Sequence, residues 1–329
     1  MQPLHAELKA RDVEKHFKGE FKKFGMSFDL DRSMKDDNYG TALNAVETKR
    51  SLGTLFAALD RLDTNFVENA NIREVFFRHP LIDPVSKLPV RGLGGGSGKM
   101  WFNNAISMHA VFHELFHVFD KKGKEWSKWD RTNPKGFTYT GSKFRTEDLN
   151  RSEKRRNEES KDLIAGAFVS EYAKSNQSED RAETFTQMIK KGHRIMAEAE
   201  ENEYLMEKIE IIIDMTSSTR LLGDAYWDTL LASDIGSIKK FSRSGFANRL
   251  MIDLEKKSLK PDEVIKVNNE EIVPLIFALE MDNTELIKLL CKRGVDPNVS
   301  NKKGETALEL AMKNENEIQV NTLKEQGAE

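Results

Sequence analysis

His113, Glu114 and His117 stand in the order His-Glu-x-x-His. On a helix, two positions four apart lie on one face a turn above each other, so both imidazoles can converge on a single ion. Neutral imidazole nitrogens suit zinc, held at about 2.0–2.1 Å with one tetrahedral position left for water. Glu114 is then placed to take a proton from that water, whose pKa the metal lowers toward about 7. Val111, Phe112, Leu115, Phe116, Val118 and Phe119 would equally serve an amphipathic core helix with incidental histidines, so a third ligand has to decide between the readings. His109 shares the face four residues earlier, but three histidines in line on a straight helix do not close a tetrahedron around one ion.

A second segment offers carboxylates. Glu179 and Glu183 are also four apart, so one can ligate while the other holds a ligating histidine by its second nitrogen. The spacing does not say which does which. The plain alternative is a solvated acidic helix face with Ser178 as its N-cap, and the upstream motif tips the balance toward metal. Tyr172, just before this helix, can donate its phenol to an oxyanion or a departing amine, the electrostatic role that peptide hydrolysis needs.

Taken together, the two segments resemble the lethal-factor-type zinc metallopeptidases, a bacterial toxin family. In that family a tyrosine precedes an E-x-x-A-E-x-F helix by seven residues, and here Tyr172, Glu179, Ala182, Glu183 and Phe185 fall on those positions. The family's H-E-x-x-H is followed, after two intervening residues, by an aspartate, and Asp120 occupies that place. The likeness covers roughly residues 90–215. It departs at Phe116, where a small residue is usual, and this bears on the packing of the metal helix and on the cleft floor. The resemblance implies a zincin-like fold, with Glu179 as third zinc ligand and Glu183 as the group that orients a ligating histidine. Asp120 is implied as a further supporting carboxylate.

The elements that must position these groups follow from pattern. A helix is expected over Ser107–Asp120, ended by the cations and glycine of Lys121-Lys-Gly-Lys124. Ile72–Phe77 reads as a strand. The run Arg91-Gly-Leu-Gly-Gly-Gly-Ser-Gly-Lys99 fails as a phosphate loop, because Leu93 stands where glycine is needed and Met100 where a hydroxyl is needed. It reads as a flexible loop feeding a short strand, Lys99–Phe102, that edges the cleft and can take an extended peptide by main-chain hydrogen bonds. Residues 123–160 read as a polar insertion with Trp126, Trp129, Phe137 and Tyr139 dispersed in it. Residues 190–235, with Ile209, Ile211, Ile212 and Ile213, complete a helical core. Residues 1–65 are charged helix, with Phe17, Phe21 and Phe24 at near-helical spacing and a stripe of Leu52, Leu55, Leu59 and Leu62.

Beyond residue 236 the chain repeats. Val273-Pro-Leu275 recurs as Thr306-Ala-Leu308, Leu290 as Leu323 and Gly294 as Gly327, each 33 positions apart, which is the ankyrin period. Two units are clear. About three make a stable stack, so a degenerate unit within 236–268 or the preceding core must cover the first face.

Composition agrees with a soluble two-domain chain: 329 residues, 38% hydrophobic, 32% charged. A net charge of −3 makes no electrostatic case for nucleic acid or anionic membrane, and basic runs such as Lys154-Arg155-Arg156 read as solvated helix faces. The single cysteine, Cys291, excludes an internal disulfide framework and a thiolate zinc site, which fits a reducing cytosol. The N-terminus lacks the apolar stretch of a secretory leader and no transmembrane run occurs. The expectation is an α+β, mostly helical protein: a zincin-like domain over 1–235, then an ankyrin-repeat module over 236–329. It would be a zinc-dependent endopeptidase with Glu114 as general base, cleaving a protein substrate as a bacterial effector in a host cytosol and reaching it by a non-classical route. The alternative is a non-catalytic interaction protein carrying the same two modules.

Overall fold

A computed structural model describes residues 10–26, 35, 37–72, 74–95, 98–120, 126–141, 166–234, 237–267 and 270–329. The expected Lys121–Lys124 helix stop, the Lys154-Arg155-Arg156 run, the N-terminal residues before 10 and much of the 123–160 insertion lie outside the described residues. The fold is mostly helical, with few strands.

The N-terminal part is helical, as its apolar spacing predicts. Helices α1 (Ala10–His16) and α2 (Lys18–Lys23) set Phe17, Phe21 and Phe24 around Phe56, with ring centroids 5.4, 5.2 and 6.0 Å away. Helix α3 (Ala45–Leu59) opens on a capping box: Asn44 accepts from the Glu47 N–H while Glu47 accepts from the Asn44 N–H. Its stripe of Leu52, Leu55 and Leu59, extended by Leu62, is buried in the core. A short helix, α4 (Phe66–Asn69), leads to the sheet.

The sheet has the order β1-β3-β2, from Glu74–Arg78, Lys99–Asn103 and Gly92–Gly95. β1 runs parallel and β2 antiparallel to β3. Side chains alternate across it: Val75, Phe77, Met100 and Phe102 enter the main core, while Phe76 and Trp101 join Leu81 in a small cluster on the other face. The glycine run is therefore not the flexible loop its composition suggests, and Lys99–Asn103, expected at the cleft edge, is the central strand, paired on both sides. Gly92–Gly95 is the edge strand itself, held in register by β3, and only Gly96 and Ser97 of the run fall outside the described residues.

Helix α5 (Met108–Asp120) lies across β2 and β3 and packs against α6 (Gln177–Lys191). The N-cap of α6 is Asn176, whose side chain accepts from the Glu179 N–H. Ser178, expected in that role, is inside the first turn. Phe116 turns away from the cleft into the core, against Phe119 and Phe185 with centroids 5.5 and 5.0 Å away. A large residue is accommodated there because it meets aromatic partners. The insertion is less peripheral than its composition implies: Trp129, in a 3-10 turn over Trp126–Thr132, is fully buried and donates to Asp180 Oδ2 at 3.0 Å. Lys208, on α8 (Glu203–Ser218) behind α6, meets the same carboxylate at 2.8 Å with both side chains completely buried. Helices α7 (His193–Glu200) and α9 (Asp224–Leu231) complete this core.

From residue 238 a second hydrophobic cluster begins. After α10 (Arg243–Glu255) and the hairpin β4–β5 (Ile265–Val267, Glu270–Ile272) come two helix pairs, α11–α12 (Pro274–Glu280, Thr284–Lys292) and α13–α14 (Ala307–Lys313, Glu317–Glu325). The repeat glycines Gly294 and Gly327 both follow an outer helix with positive φ, 83° and 88°, a conformation that glycine adopts without strain. α10 packs on α12 and covers the open face of the first pair, as the shortage of units requires.

The two halves meet through polar side chains as well as apolar ones. Glu20 accepts from Thr284 and Asn316, Lys23, paired with Asp60, donates to the Asp282 carbonyl, and Asn283 Nδ2 donates to the Asp60 carbonyl at 3.0 Å. Burial, then the nearby Asp60 charge, pushes the Glu20 carboxyl up to about 7. Ile252 and Ile318, from beyond residue 236, pack in the first cluster.

Candidate metal centre

α5 and α6 bring their motif residues together at one end of the pair. His113 Nε2 and His117 Nε2 are 3.0 Å apart, and Glu179 Oε2 lies 2.8 Å from the first and 3.1 Å from the second. These residues, separated by more than sixty positions, meet because the i, i+4 histidine face of α5 is opposed to the first turn of α6. A tetrahedral ion with bonds of about 2.0–2.1 Å sets its ligands about 3.4 Å apart, so the triangle opens by a few tenths of an ångström to accept one. Two imidazole nitrogens and a carboxylate oxygen are a donor set that zinc accepts. The residues present fit the ion.

The second nitrogens are also engaged. His113 Nδ1 lies 2.9 Å from Glu183 Oε1, and Ser170 Oγ donates to Glu183 Oε2 at 2.7 Å. His117 Nδ1 lies 3.2 Å from Ser178 Oγ, which donates to Asp120 Oδ2 at 2.8 Å. Arg181 clamps Asp120 with Nε at 3.1 Å and Nη2 at 2.9 Å. Glu179 thus lies at the triangle and Glu183 behind it, the arrangement that a ligand and a supporting carboxylate would need. Asp120 supports the other histidine.

His109 does not enter the triangle. Its Nε2 lies 2.8 Å from Glu183 Oε1, which makes His109, His113 and Glu183 a second close group. That group needs the Nδ1 side of His113 and shares a carboxylate already bonded to Ser170, and His109 is 36% exposed at its side chain. The inner triangle is the better enclosed of the two.

Charge follows the geometry. Burial alone would lower the His113 imidazole, but its hydrogen bonds to the Glu179 and Glu183 carboxylates outweigh it and push it up to about 10. Burial likewise opposes ionisation of Glu179, yet its bonds to His113 and His117 hold it well below the usual carboxylate range. Glu183 is lowered against burial by His109 and His113. Glu114 goes the other way: burial pushes its carboxyl up, against the charges of His113 and His117 and a hydrogen bond from the Gly94 N–H. A carboxylate poised in this sense suits a group that must accept and then return a proton.

The edge strand explains how Glu114 is seated. A Cβ at Gly92 would stand 2.6 Å from both Glu114 Cγ and Oε1, and one at Gly94 would stand 2.6 Å from the Glu114 carbonyl oxygen and 3.0 Å from His117 Cβ. These glycines are needed for the close approach of β2 to α5. Tyr172, in a 3-10 turn over Tyr172–Lys174, sets its ring 5.7 Å from that of His113, on the site's border where the sequence places it.

Sequence reasoning missed Ser170, Ser178, Arg181, Gly92 and Gly94 as parts of this centre. Ser178 precedes a ligand carboxylate directly and was legible only as a cap; the glycines were legible only as freedom of the backbone.

Comparison with known proteins bears on the other half of the chain. Residues 271–302 match the ankyrin-repeat family, a segment that spans α11 and α12. No curated protein and no solved structure matches the chain. None of the described helices is long and apolar enough to cross a membrane.

Proposed function

We propose that the chain is a zinc-dependent endopeptidase whose metal is held by His113, His117 and Glu179. The observation that carries this reading is the 2.8–3.1 Å triangle of two imidazole nitrogens and a carboxylate, with the buried Glu114 beside it on the same helix. When bound, zinc supplies a Lewis acid that lowers the pKa of water and polarises a carbonyl. Glu114, aimed by the Gly94 N–H, takes the proton of the attacking water and returns it to the departing amine. Tyr172 donates its phenol to the oxyanion. Glu183 holds the His113 imidazole so that Nε2 faces inward. The edge position of β2 supports a peptide substrate, laid alongside the strand in extended form.

The ankyrin match favours a protein partner, and the toxin-like motifs support a host protein as substrate of a bacterial effector. A non-catalytic interaction protein built from the same modules is the competing reading. Elemental analysis and Glu114→Gln separate the two. The purified chain should carry one zinc, a His113→Ala/His117→Ala variant none, and Glu114→Gln should keep zinc and fold. Mass spectrometry of new protein N-termini in lysates treated with wild type and with Glu114→Gln should then reveal cleavages by wild type alone. Identical N-termini in both samples would leave the interaction reading standing.

A further inference from the structure

We propose that Ser178 is a positioning residue for His117, relaying the Asp120–Arg181 pair to Nδ1 of that imidazole. The inference rests on the zinc reading of the inner triangle and adds a residue that no motif names.

A serine hydroxyl has one hydrogen to donate and two lone pairs to offer. Ser178 Oγ directs its hydrogen at Asp120 Oδ2, 2.8 Å away, because an ionised carboxylate only accepts. The lone pairs of the same oxygen then face His117 Nδ1 at 3.2 Å, and that nitrogen must be the N–H donor. In the neutral imidazole that zinc requires, a proton on Nδ1 leaves Nε2 its lone pair, and Nε2 faces His113 Nε2 and Glu179 Oε2. Arg181, bonded to both carboxylate oxygens, stops Asp120 from rotating, and this fixes which way the serine proton points.

The two histidines are thus held by different devices. His113 meets a carboxylate directly at Nδ1, whereas His117 meets one through a hydroxyl. The pieces come from the end of α5 and the first turn of α6, the same two segments that bring Glu179 onto the histidines.

The test uses the full chain and zinc itself. Zinc affinity is read by competition with a chromophoric chelator for wild type, Ser178→Ala and Ser178→Thr, with thermal midpoints of the metal-free proteins alongside. Removal of such supporting partners typically weakens metal binding on the order of 10–100-fold. That loss is expected for Ser178→Ala, with recovery to within a few-fold in Ser178→Thr, and with metal-free midpoints unchanged. A second reading is the exchange of the His117 Nδ1 proton with water, observed by nitrogen-15 NMR of the zinc-loaded protein, which should quicken in Ser178→Ala. Wild-type affinity and wild-type proton exchange in Ser178→Ala would overturn the relay and leave the zinc centre intact. Absence of stoichiometric zinc in the wild-type chain would overturn both.

Discussion

His113 is the residue on which the site turns, because its two nitrogens face two carboxylates. In the metal-free protein it holds a proton where zinc would sit. Raised from an ordinary 6.5 to about 10, it contributes stability that is full below about 6.5 and is lost as pH rises through about 10. Zinc requires the neutral imidazole, so loading expels that proton. The chelated protein should therefore lose denaturant resistance between pH 7 and 10, while the zinc-loaded protein should not follow that slope. Urea midpoints across this range, with and without metal, check it. A metal-free protein whose stability is flat there would contradict the assignment.

At the scale of the element, β2 is the piece whose chemistry its composition disguised. Glycine-rich sequence ordinarily signals backbone freedom, yet Gly92–Gly95 is paired with β3 and pressed onto α5. Gly92→Ala puts a methyl carbon against the end of the Glu114 side chain, and the carboxylate must swing away. A misplacement of about 1 Å costs on the order of 10²-fold in rate, so cleavage should fall by that much while zinc content and fold persist. Gly94→Ala is the harsher change, because its Cβ meets the Glu114 backbone carbonyl. It should lower the thermal midpoint as well. Circular dichroism and metal analysis beside a peptide-cleavage assay distinguish the two variants, and full activity in Gly92→Ala would refute the close-approach account.

At the scale of the whole molecule, the ankyrin-like helices are fastened to the N-terminal half. Ile252 and Ile318 enter its core, and the caps of the outer helices, Asn283 and Asn316, bond to Asp60 and Glu20. Deletion of residues 236–329 uncovers that apolar surface and strands the Lys23–Asp60 and Glu20 charges without their neutral partners. The truncated chain should aggregate or melt well below the full chain, as scanning calorimetry and size-exclusion chromatography would reveal. The match of residues 271–302 to the ankyrin repeat supports a second proposed role, recruitment of a protein partner. A truncated chain of undiminished stability that also cleaves peptide and protein substrates equally well would contradict both roles.

What the sequence determined by itself was whatever depends on spacing along one element. The four-residue interval of His113 and His117, that of Glu179 and Glu183, the leucine stripe of α3 and the 33-residue return of Gly294 as Gly327 are local periodicities. The helix and the ankyrin unit impose them whatever surrounds them. Tertiary structure decided what depends on which elements touch. Ser178 changes from a helix cap to a neighbour of His117, Trp129 from a surface aromatic to a buried donor for Asp180, and Phe116 from a question about the cleft to a core contact. Each of these partners lies on another element, and no periodicity along one segment carries information about the face of a second that packing will set against it. The same holds for Gly92 and Gly94: a missing side chain has no pattern of its own, and its meaning is set by the helix that fills the space.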